Sequence, residues 1–242
     1  MNFEMKISEP IIALDFPDKQ TTLNFLDQFP RDQHLFVKVG MELYYSEGQE
    51  LIKELKDRGY SIFLDLKCHD IPHTVERAMK VIGKLHVDLT TIHAAGGSAM
   101  IHAAKEGMLA GSNQHAPAKI LAITQLTSIT PQMLADEQLI TVPLEESVKH
   151  YAQVAQQNGA DGVVCSANEA QILYQACGED FLKITPGIRL AGESADDQKR
   201  VMTPGKAAQQ HSNGLVVGRS ITQAADVQAA YQRVKNEWLK EN

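Results

Sequence analysis

Cysteine is scarce in this chain. Three occur in 242 residues, Cys68, Cys165 and Cys177, and no two form a CxxC pair. That argues against a disulfide framework and favours a reducing compartment. Long apolar runs are also missing. No stretch approaches the roughly 18 apolar residues of a membrane span, and the opening MNFEMKISEP has no apolar core of the length a signal peptide needs. The expected location is the cytoplasm, without membrane association. Positive charge is in deficit, with 23 Lys and Arg against 30 Asp and Glu and a formal net charge of −7. A surface built broadly for nucleic acid is thereby disfavoured, whereas a local cluster of cations for one phosphate is not. GxGxxG, Walker A and HExxH patterns are absent, which disfavours the dinucleotide, NTP and zinc sites they build. No Gly/Ser linker or shift in composition divides the chain, so residues 1–242 are expected to form one domain.

What the chain does have is alternation. Short apolar, β-branched runs occur at Ile11–Asp15, Leu35–Gly40, Ser61–Lys67, Asp88–Ala94, Lys119–Leu126, Gly162–Ala167, Leu182–Arg189 and Gly214–Ile221. Near-continuous apolar runs suit parallel strands buried on both faces. Amphipathic stretches separate them: Asp18–Phe29, Tyr44–Arg58, Ile71–Leu85, Gly97–Met108, Glu145–Gln157, Asn168–Cys177, Pro204–His211 and Asp226–Lys240. Gly59 stands where a C-terminal cap belongs, and Asp70 with Pro72 reads as an N-cap followed by a first-turn proline. The stripe Val227, Tyr231, Val234 and Trp238 reads as core. Leu126–Pro143 has room for a short extra helix, and the polar Leu190–Thr203 reads as a mobile loop. Eight units of about 30 residues fill the length, which is the arithmetic of a single (β/α)8 TIM barrel; a doubly wound open sheet is the alternative.

In such a barrel the C-terminal strand ends carry the chemistry. That rule selects Asp15, Lys38, Asp65, Lys67, His93, Gln125, Thr127, Arg189 and Arg219. Lys38, between Val37 and Val39, points into the mouth by the two-residue period of a strand, and Asp65 and Lys67 share a face by the same rule. Charges of alternating sign offset each other's burial cost. Gly187-Ile188-Arg189 and Gly218-Arg219-Ser220 lie at the ends of the last two runs, where barrels often bind phosphate: glycine admits the backbone N–H groups and arginine supplies a forked cation. His69 and His73 are four apart, but His69 precedes the helix, so no metal site is expected. These features point to a barrel enzyme for a small phosphorylated anion. They leave open whether a lysine forms a Schiff base or moves a proton.

The segment DLKCHDIPHTV at Asp65–Val75 resembles the signature of the orotidine 5′-phosphate decarboxylase family in its bacterial form. IALD at Ile12–Asp15, FVKVG at Phe36–Gly40, QLTS at Gln125–Ser128, TPGIR at Thr185–Arg189, DDQKRVMTP at Asp196–Pro204 and VVGRSI at Val216–Ile221 resemble further family segments, in the family's order. The resemblance implies decarboxylation of orotidine 5′-monophosphate to UMP and CO2 with no metal and no organic cofactor. It implies a charged tetrad of Lys38, Asp65, Lys67 and Asp70, with Lys67 as proton donor to C6 and Asp65 beside the substrate carboxylate. Asp15 and Lys38 are expected at the ribose, Thr127 at the base, and Arg189, Gln198, Gly218 and Arg219 at the phosphate, with Gln198 on a closing loop. A homodimer is implied, with Asp70 and Thr74 serving the partner's site.

Two positions depart from the family pattern. Cys68 stands for the usual Phe, which bears on packing beside the site, and His73 stands for the usual Asn, which bears on the dimer contact. Two other readings share parts of the pattern. A magnesium-dependent phosphosugar decarboxylase or synthase of the same barrel group shares DxKxxD, but carries an acidic residue where Lys38 stands. A non-catalytic phosphate-ligand binding protein would have no use for the Lys/Asp cluster.

Overall fold

A computed structural model describes residues 7–113, 115–191 and 202–240. Eight parallel strands close into a barrel in sequence order, β1 Ile11–Ala13, β2 Phe36–Val39, β3 Ser61–Cys68, β4 Leu89–His93, β5 Lys119–Ile123, β6 Gly162–Val164, β7 Leu182–Thr185 and β8 Gly214–Val217, with β8 pairing back onto β1. Each run of apolar residues thus has one row inside the barrel and one outside. Ile11, Phe36, Phe63, Leu89, Leu121, Leu182, Ile184 and Val216 pack in the interior. Ile12, Val37, Val39, Ile62, Leu64, Ile92, Val163 and Val217 pack outward beneath the helices. Burying both rows is what makes these strands read as continuous hydrophobic runs.

The helices are α1 Lys19–Leu26, α2 Met41–Asp57, α3 Pro72–Gly83, α4 Gly97–Ser112, α5 Pro131–Asp136, α6 Leu144–Gln157, α7 Ala167–Cys177, α8 Pro204–Gln209, α9 Arg219–Thr222 and α10 Val227–Lys240. The short helix expected after β5 is α5, capped by Thr130, whose side chain accepts the Met133 N–H. Gly59 follows the Arg58 cap of α2 with φ 80°, the left-handed turn glycine permits. Asp70 is not the N-cap of α3. Ile71 holds that place without a side-chain bond, and the Asp70 carboxylate accepts the Ile71 N–H at 2.6 Å. Pro72 opens the helix as expected. Val227, Tyr231, Val234 and Trp238 of α10 are all buried, which settles that stripe as core. The four-residue α9 was not legible as a helix, because one turn offers no periodicity to read.

The lower rim of the barrel repeats one device. The residue before β4, β6 and β8 is Asp88, Asp161 or Asn213. Its side chain accepts the second amide of the preceding strand: Ile62 at 2.7 Å, Ile120 at 2.9 Å and Lys183 at 3.0 Å. The same residue's own amide donates to that partner's carbonyl, at 2.8 Å in all three cases. The matching position before β2 is Leu35, and the residue opposite it in register is Pro10, which has no amide to satisfy. This rim is a structural end, which leaves the opposite end to carry chemistry.

Candidate active site

Two cavities lie at the C-terminal ends of the strands and share Lys38, Pro186 and Val216 in their walls, so they adjoin. The larger, about 480 Å³, is bounded by Asp15 and Lys38 at one end and by Gly187, Arg189, Gly218 and Arg219 at the other. The smaller, about 190 Å³, is walled by Phe63, Ile123, Leu126 and Val164, with Asp65, Lys67, Gln125 and Thr127 as its polar members.

Lys38 points inward as the strand period requires. Its ammonium donates to Asp15 Oδ1 at 2.9 Å from a side chain only 12% exposed. Gly40 makes room for it, since a Cβ at that position would stand 3.2 Å from Lys38 Nζ. Asp65 and Lys67 do converge, with Lys67 Nζ donating to Asp65 Oδ2 at 2.8 Å. The route differs from simple alternation. Pairing runs Leu64 with Thr90 and then Cys68 with Ile92, so β3 carries an irregularity through Asp65–Lys67, and Lys67 sits at φ 51°. Thr91, which sequence reasoning passed over, donates its hydroxyl to Asp65 Oδ1 at 2.8 Å and accepts the Lys67 N–H at 2.9 Å.

Several strand-end assignments shift. Arg189 lies four residues beyond β7 and reaches the site from a loop held by the Ile188–Met202 bridge. Its guanidinium is buried and donates to Ile188 O at 2.9 Å. Gly187, at φ 76°, supplies the turn that brings it there. Arg219 begins α9 rather than ending a strand, and Gln125 and Thr127 follow β5. Gln125 is buried and bonded to Ser147 Oγ at 3.1 Å. Asp70 and Thr74 are exposed and outside both cavity walls, so this chain brings Lys38, Asp65 and Lys67 together and leaves Asp70 apart. Gln198, and the stretch 192–201 of the expected loop, lie outside the described residues. Cys68 is half-buried and packs against the outer core rather than lining either cavity, and burial raises its thiol pKa. His73 is exposed, 3.8 Å from Glu76.

Lys183 is 1% exposed and lies outside this site, and it has a structural account. It faces the helical layer and donates to Gly178 O and Glu179 O at 3.1 and 3.3 Å, carbonyls just past the end of α7. His69 and His93 approach ring to ring at 5.3 Å, but among the described residues no three His, Cys, Asp or Glu side chains are grouped to hold a metal ion.

Burial, followed by the nearby His69 and Lys67, lowers the His93 pKa from its usual 6.5. The unfolded chain therefore takes up that proton first as pH falls. His93's contribution to stability is complete above the unfolded value and is lost as pH descends from there towards the folded one. His93→Asn should flatten this stretch of a plot of Tm against pH. Parallel curves for the two proteins would remove His93 from the account.

A deep mouth with two arginines at one end and a paired lysine and aspartate at the other defines a TIM-barrel enzyme acting on a small phosphorylated anion. The comparisons narrow that class. The family model described as "Orotidine 5'-phosphate decarboxylase / HUMPS family" matches residues 8–234, and the chain belongs to that family. It is 59% identical to the orotidine 5′-phosphate decarboxylase of Ligilactobacillus salivarius over 97% of this chain and 99% of the other. It is 52% identical to that of Streptococcus pneumoniae serotype 19F over 98% and 99%. The crystal structure of the Lactobacillus acidophilus orotidine 5′-phosphate decarboxylase superposes with a TM-score of 0.86 at 44% identity, covering 96% of this chain and 99% of that one. No described helix is long and apolar enough to cross a membrane.

Proposed function

We propose that this enzyme decarboxylates orotidine 5′-monophosphate to UMP and CO2 in the cytoplasm, with Lys67 as proton donor. The observation that carries the reading is the pair of adjoining cavities. One has two arginines for a phosphate. The other is largely apolar and sized for a pyrimidine, with the Lys67 ammonium 2.8 Å from Asp65 in its wall.

In this reading Arg189 and Arg219 take the phosphate beside the backbone of Gly187 and Gly218. The resemblance alone adds Gln198 there. Lys38, in the wall of both cavities, and Asp15, paired with it, take the ribose hydroxyls, and Thr127 takes an edge of the base. The substrate carboxylate then lies against Asp65, and repulsion between the two disfavours the bound ground state. When the C6–carboxylate bond breaks, CO2 leaves and the electron pair stays on C6. The Lys67 ammonium stabilises that pair and delivers a proton to C6. The resulting amine regains its proton from solvent. Phosphate binding, remote from the breaking bond, contributes energy to closure and orientation.

The exposed Asp70 and Thr74 are assigned to the site of a second subunit, completing the tetrad across a two-fold interface. This assignment rests on the resemblance and agrees with their position outside this chain's cavities.

Loss of the orotidine 5′-monophosphate absorbance on adding enzyme tests the reaction. Turnover unaffected by EDTA is expected. Loss of turnover on chelation would move the assignment to the magnesium-dependent branch of the barrel group. Arg219→Ala should cost about 2–5 kcal/mol in kcat/KM if its pair with the phosphate is desolvated. Orotidine lacking the phosphate should be turned over equally by both proteins. An equal loss on both substrates would place Arg219 elsewhere.

A further inference from the structure

The irregularity in β3 leaves an arrangement that the decarboxylation mechanism does not itself require. Between the pairs Leu64–Thr90 and Cys68–Ile92, the three residues Asp65, Leu66 and Lys67 face the single residue Thr91. Such a mismatch bends the strand and takes residues out of the ladder. Lys67 also adopts a left-handed backbone, at φ 51°, which is uncommon for a long side chain and persists only where its surroundings hold it. Its amide, displaced from β4's backbone, donates instead to Thr91 Oγ1 at 2.9 Å.

The direction of these bonds is forced. An amide N–H can only donate, so the Thr91 oxygen accepts from Lys67. An ionised carboxylate can only accept, so the one hydroxyl proton goes to Asp65 Oδ1 at 2.8 Å. The other carboxylate oxygen, Asp65 Oδ2, receives the Lys67 ammonium at 2.8 Å. A closed ring results: the Lys67 amide, the Thr91 hydroxyl, the Asp65 carboxylate and the Lys67 ammonium. It grips Lys67 at both ends of its side chain. Thr91 itself is fully buried inside the barrel, so its hydroxyl is shielded from water at the centre of the ring.

We infer that Thr91 is a positioning residue for the reaction: its hydroxyl sets the orientation of the Asp65 carboxylate and the backbone of Lys67, and so places the ammonium at C6. Thr91 touches no substrate in this account. The inference deepens the proposed reading and rests on it.

The test compares wild type, Thr91→Ser, Thr91→Val and Thr91→Ala for turnover of orotidine 5′-monophosphate and for binding of UMP. In the proposed reading UMP occupies both cavities but has no carboxylate to meet Asp65. Val keeps the shape of Thr and loses both bonds, whereas Ser keeps both bonds. The expected result is a fall in kcat of about 10- to 100-fold for the Val and Ala variants, the size of a lost hydrogen bond to a charged group. UMP affinity and KM should change by less than about threefold, since the phosphate grip is untouched, and Ser should restore kcat to within about threefold of wild type. Three results would overturn the inference: unchanged kcat in the Val variant, a Ser variant as slow as Val, or UMP binding lost in both hydroxyl-free variants, which marks a purely structural role. A wild type without turnover would overturn the proposed reaction as well. Wild-type turnover with an unimpaired Val variant sinks only the role of Thr91.

Discussion

Lys67→Ala should abolish turnover of orotidine 5′-monophosphate while the protein stays folded. In the proposed mechanism the chain would lose its proton donor and the cation that stabilises charge at C6, two effects each worth about a hundredfold or more. The expected loss in kcat is therefore at least about 10⁴-fold. The fold survives because the lysine side chain lies at a polar mouth rather than in either layer of the core. Asp65 retains the Thr91 hydroxyl as a partner when the ammonium is gone. Circular dichroism checks the fold and the absorbance assay checks kcat. Turnover within tenfold of wild type would end the assignment of Lys67 as proton donor.

Mixing two inactive proteins restores activity if the site is shared between subunits. Asp70→Ala is expected to be nearly inactive by itself, since the tetrad would lose the member that the partner supplies. In a mixed dimer of Lys67→Ala and Asp70→Ala subunits, one site carries both lesions and the other carries neither. Random exchange makes half the dimers mixed, and half of their sites intact, so activity should rise to about one quarter of wild type, as two-fold symmetry dictates. Mass spectrometry establishes that exchange has occurred. Activity left at the level of the parents would show that Asp70 acts within its own chain or not at all. The position of Asp70 makes this a sharp test. Within one chain it is exposed, bonded to the neighbouring Ile71 N–H, and outside the cavity that holds Asp65 and Lys67.

Much of this protein is written in its local sequence. Eight apolar runs separated by amphipathic segments suffice for the barrel, because strands buried on both faces must be apolar throughout and helices packed on one side must not be. Lys38 between two valines is legible for the same reason: side chains alternate across a strand, and a charge in an apolar run must point where water or a partner can reach it. The short motifs around Asp65, Gln125, Arg189 and Arg219 were enough to indicate the family. Their residues line adjoining cavities although up to 154 positions separate Asp65 from Arg219. Tertiary structure alone decided the rest. Only the cap of α3 was local after all: the ring of Pro72 holds Ile71 extended, at ψ 151°, so the helix starts at Pro72 and the cap falls to Ile71 rather than Asp70. Asp65 and Lys67 meet because β3 departs from regular pairing, and a departure from a period cannot be read from the period. Thr91 looks like any strand threonine until β4 is laid beside β3. Its two bonds join residues 24 and 26 positions away, so only the closed sheet brings the hydroxyl, the carboxylate and the lysine amide within reach of one another.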